Sequence, residues 1–216
     1  GAAHKENAMT REELVAAFSA KATAVNAVVQ EMPTMAAALQ YVVDVCADKA
    51  PAELLADEPG TEQGPLGPNK VPTRVKRVVA APELNDEDFA QLSKACEEKG
   101  FICLRQGLRN YLAGIDVGLS TAVLGIAGSG TCLVNTDNED ARLAGMIAEI
   151  SVILLRKSAI YPDLPSIAQR LRERMNEAPA TYTTLITGPS RTADIERVAA
   201  VGVHGPLELH IILLED

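Results

Sequence analysis

The stretch from Tyr111 to Val134 constrains the fold more than any other part of this chain. It carries a single charged residue, Asp116, and it has the length of a membrane span. Glycines interrupt it at short intervals, at positions 114, 118, 125, 128 and 130. Because glycine weakens a helix interior and marks turns, the stretch predicts two or three buried strands separated by glycine turns, and no membrane span.

The segments on either side of this stretch alternate between strand-like and helix-like patterns. Strands are predicted at 75–80, 101–104 and 151–155, which are short segments rich in apolar residues. Helices are predicted at 137–147, at 163–176, and from the capping residue Asn85 to Gly100. The repeated order of strand, helix and strand predicts an α/β protein with a mostly parallel sheet.

The N-terminal part of the chain is predicted to be helical. Thr10-Arg-Glu-Glu13 forms a capping box, and apolar residues recur at helical spacing from Leu14 to Val29. Pro33 opens a second predicted helix, whose apolar stripe ends before Pro51. These stripes are too short for sustained heptads, so packing against the core is favoured over a coiled coil with a partner.

These patterns divide the chain into four predicted segments. Residues 1–9 are a native tail or a remnant added for expression, residues 10–56 are N-terminal helices, and residues 74–216 form one α/β domain. Between them, prolines and glycines crowd residues 57–73 and predict a long irregular loop. This loop is a lid, a partner-contact segment or an ordered surface loop, and the last is favoured.

Composition excludes several classes of function. The net charge of −9 is unfavourable for a surface that binds nucleic acid or anionic membrane, because both require clustered Lys and Arg. Residues 1–9 lack the apolar segment of a secretory signal. A cytoplasmic protein is therefore expected, with an aliphatic core, since aromatic residues make up only 3% of the chain.

Neither the cysteines nor the acidic residues predict a metal or a cofactor. Cys46, Cys96, Cys103 and Cys132 are scattered and form no Cys-x-x-Cys pair, so no zinc site or iron–sulfur cluster is predicted, and reduced buried thiols are expected. The acidic group around Asp137 and Asp140 lacks the alternation of a calcium loop, and helix capping is favoured there. No motif for flavin or nicotinamide is present.

The first candidate site is the glycine-rich segment Gly125-Ile-Ala-Gly-Ser-Gly-Thr131, which lies between two strand-like runs. It matches neither a Walker A loop nor a dinucleotide fingerprint. Its candidate ligand-binding residues, Gly128, Ser129, Gly130 and Thr131, have the backbone freedom to cradle an oxyanion. A tight hairpin turn explains the same residues equally well.

The second candidate site follows an apolar, β-branched run at 182–187. A Gly188-Pro-Ser turn leads into a helix-like segment, and exposed amides at a helix start favour an anion. The candidate ligand-binding residues here are Gly188, Pro189, Ser190, Arg191, Thr192 and Asp194. Arg191 can bind a carboxylate or phosphate, although Asp194 and Glu196 disfavour a multiply charged phosphate. The alternative is a plain helix cap made by Ser190 or Thr192.

A third motif, Gly202-Val-His-Gly-Pro206, precedes the strand-like run at 209–214. His204 is the candidate catalytic residue of the chain, as an acid, a base or an oxyanion donor near Gly188 to Asp194, and Gly205 belongs with it. A turn histidine that bonds local carbonyls is the commoner alternative. His210 starts the strand and is expected to be structural.

The motifs at 187–196 and 202–210 resemble the closing motifs of the LUD domain family, the lactate-utilisation protein C group. The resemblance extends more loosely from about Val75 to the end of the chain. It implies a sheet similar to that of the ribose-5-phosphate isomerase, glucosamine-phosphate deaminase and CoA-transferase superfamily. It also implies bacterial oxidation of lactate to pyruvate with two iron–sulfur partner proteins, while members of this small type hold no cluster. The family's central motif usually reads Ala-Glu-Thr-Gly-Thr, whereas this chain has Gly128 at the carboxylate's position.

These observations predict an accessory or ligand-binding subunit of a lactate-utilisation system. One alternative is a stand-alone enzyme acting on a small carboxylate, a phosphosugar or a CoA thioester, and another is a structural adaptor. The glycine turns at 128–131 and 188–194 are expected to face one another across a cleft at the ends of neighbouring strands, with His204 bordering it. A mono-carboxylate is expected there rather than a nucleotide.

Overall fold

The computed structural model describes residues 8–52, 76–112, 114–176, 183–189, 192–194 and 205–216. The predicted loop at 57–73 lies outside these ranges. The described helices are α1 (Arg11–Ala24), α2 (Met35–Ala47), α3 (Asp86–Glu98), α4 (Glu139–Met146) and α5 (Ala168–Asn176). The described strands are β1 (Val28–Met32), β2 (Val78–Ala80), β3 (Ile102–Leu104), β4 (Ile115–Ile126), β5 (Thr131–Asn135), β6 (Ala148–Arg156), β7 (Ile160–Tyr161), β8 (Thr183–Ile186), β9 (Thr192–Asp194) and β10 (Glu208–Leu214).

Six of these strands form a parallel sheet in the order β3-β2-β4-β6-β10-β1. Helices α2 and α3 cover one face through an aliphatic cluster that contains Val42, Leu92 and Leu154. Helix α1 covers the other face, where Phe18 packs with Ile153 and its neighbours. The sheet is buried on both faces, as parallel sheets are, and the predicted α/β class is confirmed.

Strand β4 takes part in both the parallel and the antiparallel region of the sheet. Residues 115–121 pair in parallel with β6, whereas residues 122–126 continue beyond that sheet and pair with β5 in antiparallel fashion, after an irregularity between Ala122 and Leu124. β5 then pairs with β8, and β8 with β9, both antiparallel, while the short β7 runs parallel to β4. We call the part of the sheet formed by residues 122–126, β5, β7, β8 and β9 the antiparallel extension.

The weakly charged stretch from Tyr111 to Val134 forms β4 and most of β5, the two buried strands that were predicted. Gly128 and Gly130 lie in the turn between them, but Gly118 and Gly125 lie inside β4 rather than in turns. Asp116, its single charge, is 1% exposed and lies inside β4. Among the described residues, no helix is long and apolar enough to cross a membrane.

The sequence predicted the start of the first helix correctly, but it placed the end of that helix too far along the chain. The Thr10 hydroxyl accepts a hydrogen bond from the Glu13 amide at 3.1 Å, as the capping box predicted. The helix stops at Ala24, however, and Asn26 adopts a positive φ of 73°. Val28 to Met32, part of which was predicted to continue the helix, forms an edge strand parallel to β10, because β-branched residues pair well there.

Candidate functional site

The first glycine motif forms the hairpin turn between β4 and β5. The amides of Ala127 and Gly128 donate to the carbonyls of Tyr161 and Pro162 at 2.7 and 2.9 Å. The amides of Ser129 and Gly130 donate to the Ile126 carbonyl at 3.4 and 2.9 Å. The four amides of the turn are thus bonded within the protein, so the turn offers a ligand its hydroxyl groups rather than its N–H groups.

Hydroxyl groups connect this turn to the end of β8. The Thr131 hydroxyl lies 2.7 Å from that of Ser129 and 2.7 Å from that of Thr187. This arrangement follows from the antiparallel pairing of β5 with β8, in which Cys132 faces Ile186. The two glycine turns therefore lie at the same end of neighbouring strands, as predicted, but they are in direct contact at this point.

The end of helix α1 explains why both turns need glycine. A Cβ atom on Gly130 would lie 2.3 Å from the Ala22 amide nitrogen, and one on Gly188 would lie 2.5 Å from the Val25 carbonyl oxygen. Both glycines also have positive φ, 66° and 69°. The turns are therefore packed against the backbone of α1, a neighbour that the sequence motifs did not indicate.

The second motif differs from its prediction after the turn. Thr192 to Asp194 form β9, which pairs antiparallel with β8, so that Thr192 faces Ile186 and Asp194 faces Thr184. The predicted helix start is wrong for these residues, because the edge of β8 supplies the hydrogen bonds that a helix would have supplied. Ser190, Arg191 and His204 lie outside the described residues, and Gly205 is described just before β10.

Histidine His210 is packed into the fold, as expected. Its Nδ1 atom lies 2.6 Å from the Tyr41 hydroxyl of α2, and its Nε2 atom lies 3.5 Å from a carboxylate oxygen of Glu208. Burial lowers the pKa of His210, although Glu208 opposes that effect. The side chain thus joins β10 to α2 as a neutral group near neutral pH.

Polar side chains between residues 135 and 140 bond nearby backbone amides. The Asn138 side chain accepts from the Ala141 amide at 2.7 Å at the start of α4, and Asn135 accepts from the Asp137 amide at 2.9 Å. Asp140 accepts from the Leu108 amide at 2.9 Å. The predicted helix capping is thus confirmed for Asn138, whereas Asn135 and Asp140 hold backbone amides outside a helix cap. In the described ranges, no three His, Cys, Asp or Glu side chains are grouped to hold a metal.

Three of the scattered cysteines meet between the sheet and its helices. Cys46 and Cys96 are buried in the cluster under α2 and α3, and Cys103 of β3 packs against them. A hydrogen bond from the Cys96 thiol lowers the pKa of Cys103, and the same bond raises the pKa of Cys96. Burial raises the pKa of Cys46 to about 12. All four cysteines are free, as expected.

An acidic side chain not predicted from the sequence lies at the carboxyl end of β2, beside the end of the part of β4 that pairs with β6. The chain leaves β2 for β3 on one side, whereas after β4, the hairpin with β5 and helix α4 it returns to the parallel sheet as β6 on the other side, so β2 and β4 form a topological switch point. Ligands of open α/β sheets bind at such points. Glu83 follows β2 here, and its carboxylate accepts a hydrogen bond from the Thr121 amide of β4.

The environment of Glu83 favours its protonated form. Its Oε1 atom is buried and has no hydrogen-bond partner among the described residues. Burial raises the pKa of Glu83 to about 7, against the effect of the Thr121 hydrogen bond. The one sequence signal for Glu83 is that an acidic residue follows a short apolar strand. This signal indicates a site only when the order of the strands in the sheet is known.

Glu83 is expected to make the fold less stable as pH rises from about 4.5 to about 7, because the folded chain holds a proton there that the unfolded chain releases. Glu83→Gln should remove this dependence and stabilise the protein at pH 8 by up to about 3 kcal/mol. Urea unfolding at pH 5 and pH 8 measures it, with Glu97→Gln, an exposed change in α3, as control. An unchanged pH dependence in Glu83→Gln would contradict the prediction.

At the opposite, amino end of the same strands lies a buried ion-pair network. Asp116 accepts hydrogen bonds from the Lys49 ammonium at 2.6 Å, the Ala52 amide at 2.7 Å and the Val78 amide at 2.6 Å. Lys49 also pairs with Glu149 at 2.6 Å. Burial lowers the pKa of Lys49, but the two carboxylates outweigh burial and raise it. The network ties the end of α2 to β2, β4 and β6.

Comparisons with known proteins place these features among relatives. A family model described as LUD domain matches residues 15–214. The Escherichia coli (strain K12) protein YkgG is 35% identical over 102 residues, which are 46% of this chain and 44% of that protein. Lactate utilization protein C of Macrococcus caseolyticus is 33% identical over 103 residues, 47% of this chain and 45% of that protein. The chain thus matches less than half the length of these relatives.

A solved structure shares the fold across nearly the whole chain. It is a DUF162 family protein from Deinococcus radiodurans, with a TM-score of 0.57 and 15% sequence identity, and the match covers 96% of this chain and 99% of that one. At this identity the likeness concerns the fold alone.

Proposed function

Since the chain belongs to the LUD domain family, we propose that it acts in a bacterial lactate-utilisation system, in the oxidation of lactate to pyruvate. Several relatives bear the name lactate utilization protein C, and this shared name is the observation that carries the proposal. Within that system we assign the chain the role of an accessory or ligand-binding subunit, and the cytoplasm remains its predicted location.

The ligand of this subunit is a small carboxylate. The glycine turns at 128–131 and 188–189 lie side by side, and the switch point between β2 and β4 lies on the carboxyl side of the parallel sheet, where small ligands bind in this class of fold. Arg191 is the cation predicted from sequence to hold the carboxylate, with His204 beside it. Electrons from lactate pass to partner subunits that carry iron–sulfur clusters, since the sequence of this chain has no Cys-x-x-Cys pair of the kind that holds such a cluster.

Affinity purification of the tagged chain from a native bacterial extract, followed by iron analysis, tests this role. We expect iron to co-purify with partner proteins at moderate salt and to leave with them when the complex is dissociated, while the isolated chain stays colourless. Purified chain that retains stoichiometric iron or a visible absorption band under anaerobic conditions would overturn the subunit role.

One observation favours a second candidate function, a stand-alone enzyme of the same superfamily. Glu83 is a buried carboxyl group whose pKa is raised to about 7, which suits a side chain that both takes and gives a proton near neutral pH. As an enzyme, the chain would convert a small carboxylate, a phosphosugar or a CoA thioester without partners. Turnover by the isolated chain that disappears in Glu83→Gln would favour this function over the subunit role.

A further inference from the structure

A small pocket lies between the antiparallel extension and helix α5. Its volume is about 200 Å³, and its walls include Val123, Leu124, Leu133, Tyr161, Arg170 and Leu171. Pockets that hold drug-sized ligands usually measure roughly 300–1,000 Å³, so this one suits a smaller molecule. Four of the lining side chains are aliphatic, and the polar part of the wall comes from Tyr161 of β7 and from Arg170 and Glu173 of α5.

Arg170 supplies a cation at this pocket. Its guanidinium group lies 4.9 Å from the centre of the Tyr161 ring and donates a hydrogen bond to the Tyr161 hydroxyl. Among the described residues, no carboxylate lies within ion-pair distance of it. The guanidinium group has five N–H donors in a planar fork, so donors remain for a carboxylate after the bond to Tyr161.

The charges around Arg170 favour a singly charged anion. Helix α5 carries three arginines and one glutamate, in a chain whose net charge is −9. That glutamate, Glu173, also lines the pocket and accepts a hydrogen bond from Gln169 at 3.1 Å. The arginines attract an anion, while the carboxylate of Glu173 and the small volume disfavour a nucleotide with several phosphates.

The first glycine turn fixes the position of Tyr161. The amides of Ala127 and Gly128 hold the carbonyls of Tyr161 and Pro162, and β7 pairs with β4 through Gly125 and Ile126. The ring that supports Arg170 is thereby attached to the rigid end of β4. The first glycine turn therefore positions a residue of the pocket wall, although the turn itself does not line the pocket.

We infer that this pocket binds the carboxylate of a small mono-carboxylic acid. Arg170 and the Tyr161 hydroxyl hold the carboxylate, and Val123, Leu124 and Leu171 contact the short hydrocarbon part. This inference rests on the proposed function, which supplies lactate and pyruvate as the acids of interest, and it gives that function an anchoring residue among the described residues.

Calorimetric titration at low ionic strength tests the inference, with lactate, pyruvate and a nucleoside triphosphate as ligands. Arg170→Gln should weaken lactate or pyruvate binding about 10- to 100-fold, the effect of losing a hydrogen bond to a charged group. Tyr161→Phe should weaken it less. Arg172→Gln removes the same charge from an exposed position on the same helix and should change the affinity for these acids by no more than about twofold. Arg170→Lys should retain part of the affinity that Arg170→Gln loses.

Unfolding midpoints of all variants, which should stay unchanged, separate lost binding from lost structure. Equal losses in Arg170→Gln and Arg172→Gln, full affinity in Arg170→Gln, or preference for the triphosphate would overturn the assignment of this pocket. Arg191→Ala distinguishes the two proposals. If Arg191→Ala abolishes carboxylate binding and Arg170→Gln does not, the assignment of the ligand to this pocket is wrong and the proposed function stands. If the wild-type chain binds neither lactate nor pyruvate, both the pocket assignment and the proposed function are overturned.

Discussion

Replacing Gly118 with alanine is expected to destabilise the protein by about 3 kcal/mol or more. Gly118 lies in β4 where α4 crosses it, and a Cβ atom there would lie 1.9 Å from the Ala144 carbonyl oxygen and 2.8 Å from its carbon. Backbone atoms cannot rotate away as side chains can, so α4 would have to separate from the sheet. Urea unfolding of the wild type and Gly118→Ala measures the loss.

Gly145→Ala is the matched control for this change. Gly145 lies in α4 itself, and a Cβ atom on it would meet nothing within 4 Å. Because alanine favours a helix more than glycine does, this variant should be as stable as wild type or more stable by up to about 1 kcal/mol. Gly118→Ala with the stability of Gly145→Ala would show that α4 does not pack on β4 this closely.

Replacing Asp116 with alanine is expected to cost about 3–5 kcal/mol, the usual cost of removing one partner of a buried ion pair. The change leaves the amides of Ala52 and Val78 without this acceptor, and it leaves Lys49 with the Glu149 carboxylate and the Ala50 carbonyl. Unpaired buried polar groups add the penalty of lost hydration. Thermal and urea unfolding of the variant measure the effect.

The exposed pair of Asp86 with Arg105 provides the control for Asp116. Its shortest distance, 2.6 Å, equals that of Lys49 to Asp116, but the Asp86 side chain is 93% exposed. Asp86→Ala should therefore cost no more than about 1 kcal/mol. A similar loss of unfolding free energy in Asp86→Ala and Asp116→Ala would contradict the prediction, because it would mean that burial does not strengthen the Asp116 network.

Local signals in the sequence predicted the elements whose causes are local. Thr10 and Asn85 cap α1 and α3 by accepting hydrogen bonds from amides three residues further along the chain. The apolar residues of β6 favour a buried strand whichever strands pair with it. Strand β1 was missed because Val28 to Met32 pair with β10, near the other end of the chain. The helix predicted at Thr192 failed for a similar reason, since a neighbouring strand edge decided its conformation.

In the candidate site, too, the sequence predicted the features that have local causes and missed those that depend on distant segments. The glycines of the first turn indicated freedom to adopt positive φ, and Gly130 has it. The positive φ of Gly188 in the second turn, and the helix packed on both turns, were not predicted from the motifs. Glu83 and Arg170 carry no motif at all. Their significance depends on strand order and on a pocket between distant segments, which only the folded chain creates.

The pairing of β1 with β10 also affects how the protein is made. Among the described strands β10 is the one sheet partner of β1, and it is the last of them to be synthesised. Until β10 has been synthesised, the edge of β1 has no strand to pair with. Unpaired strand edges of this kind are prone to aggregate during synthesis. The parallel sheet closes only after β10 has been synthesised and inserts between β1 and β6, so its closure depends on a strand made long after β1.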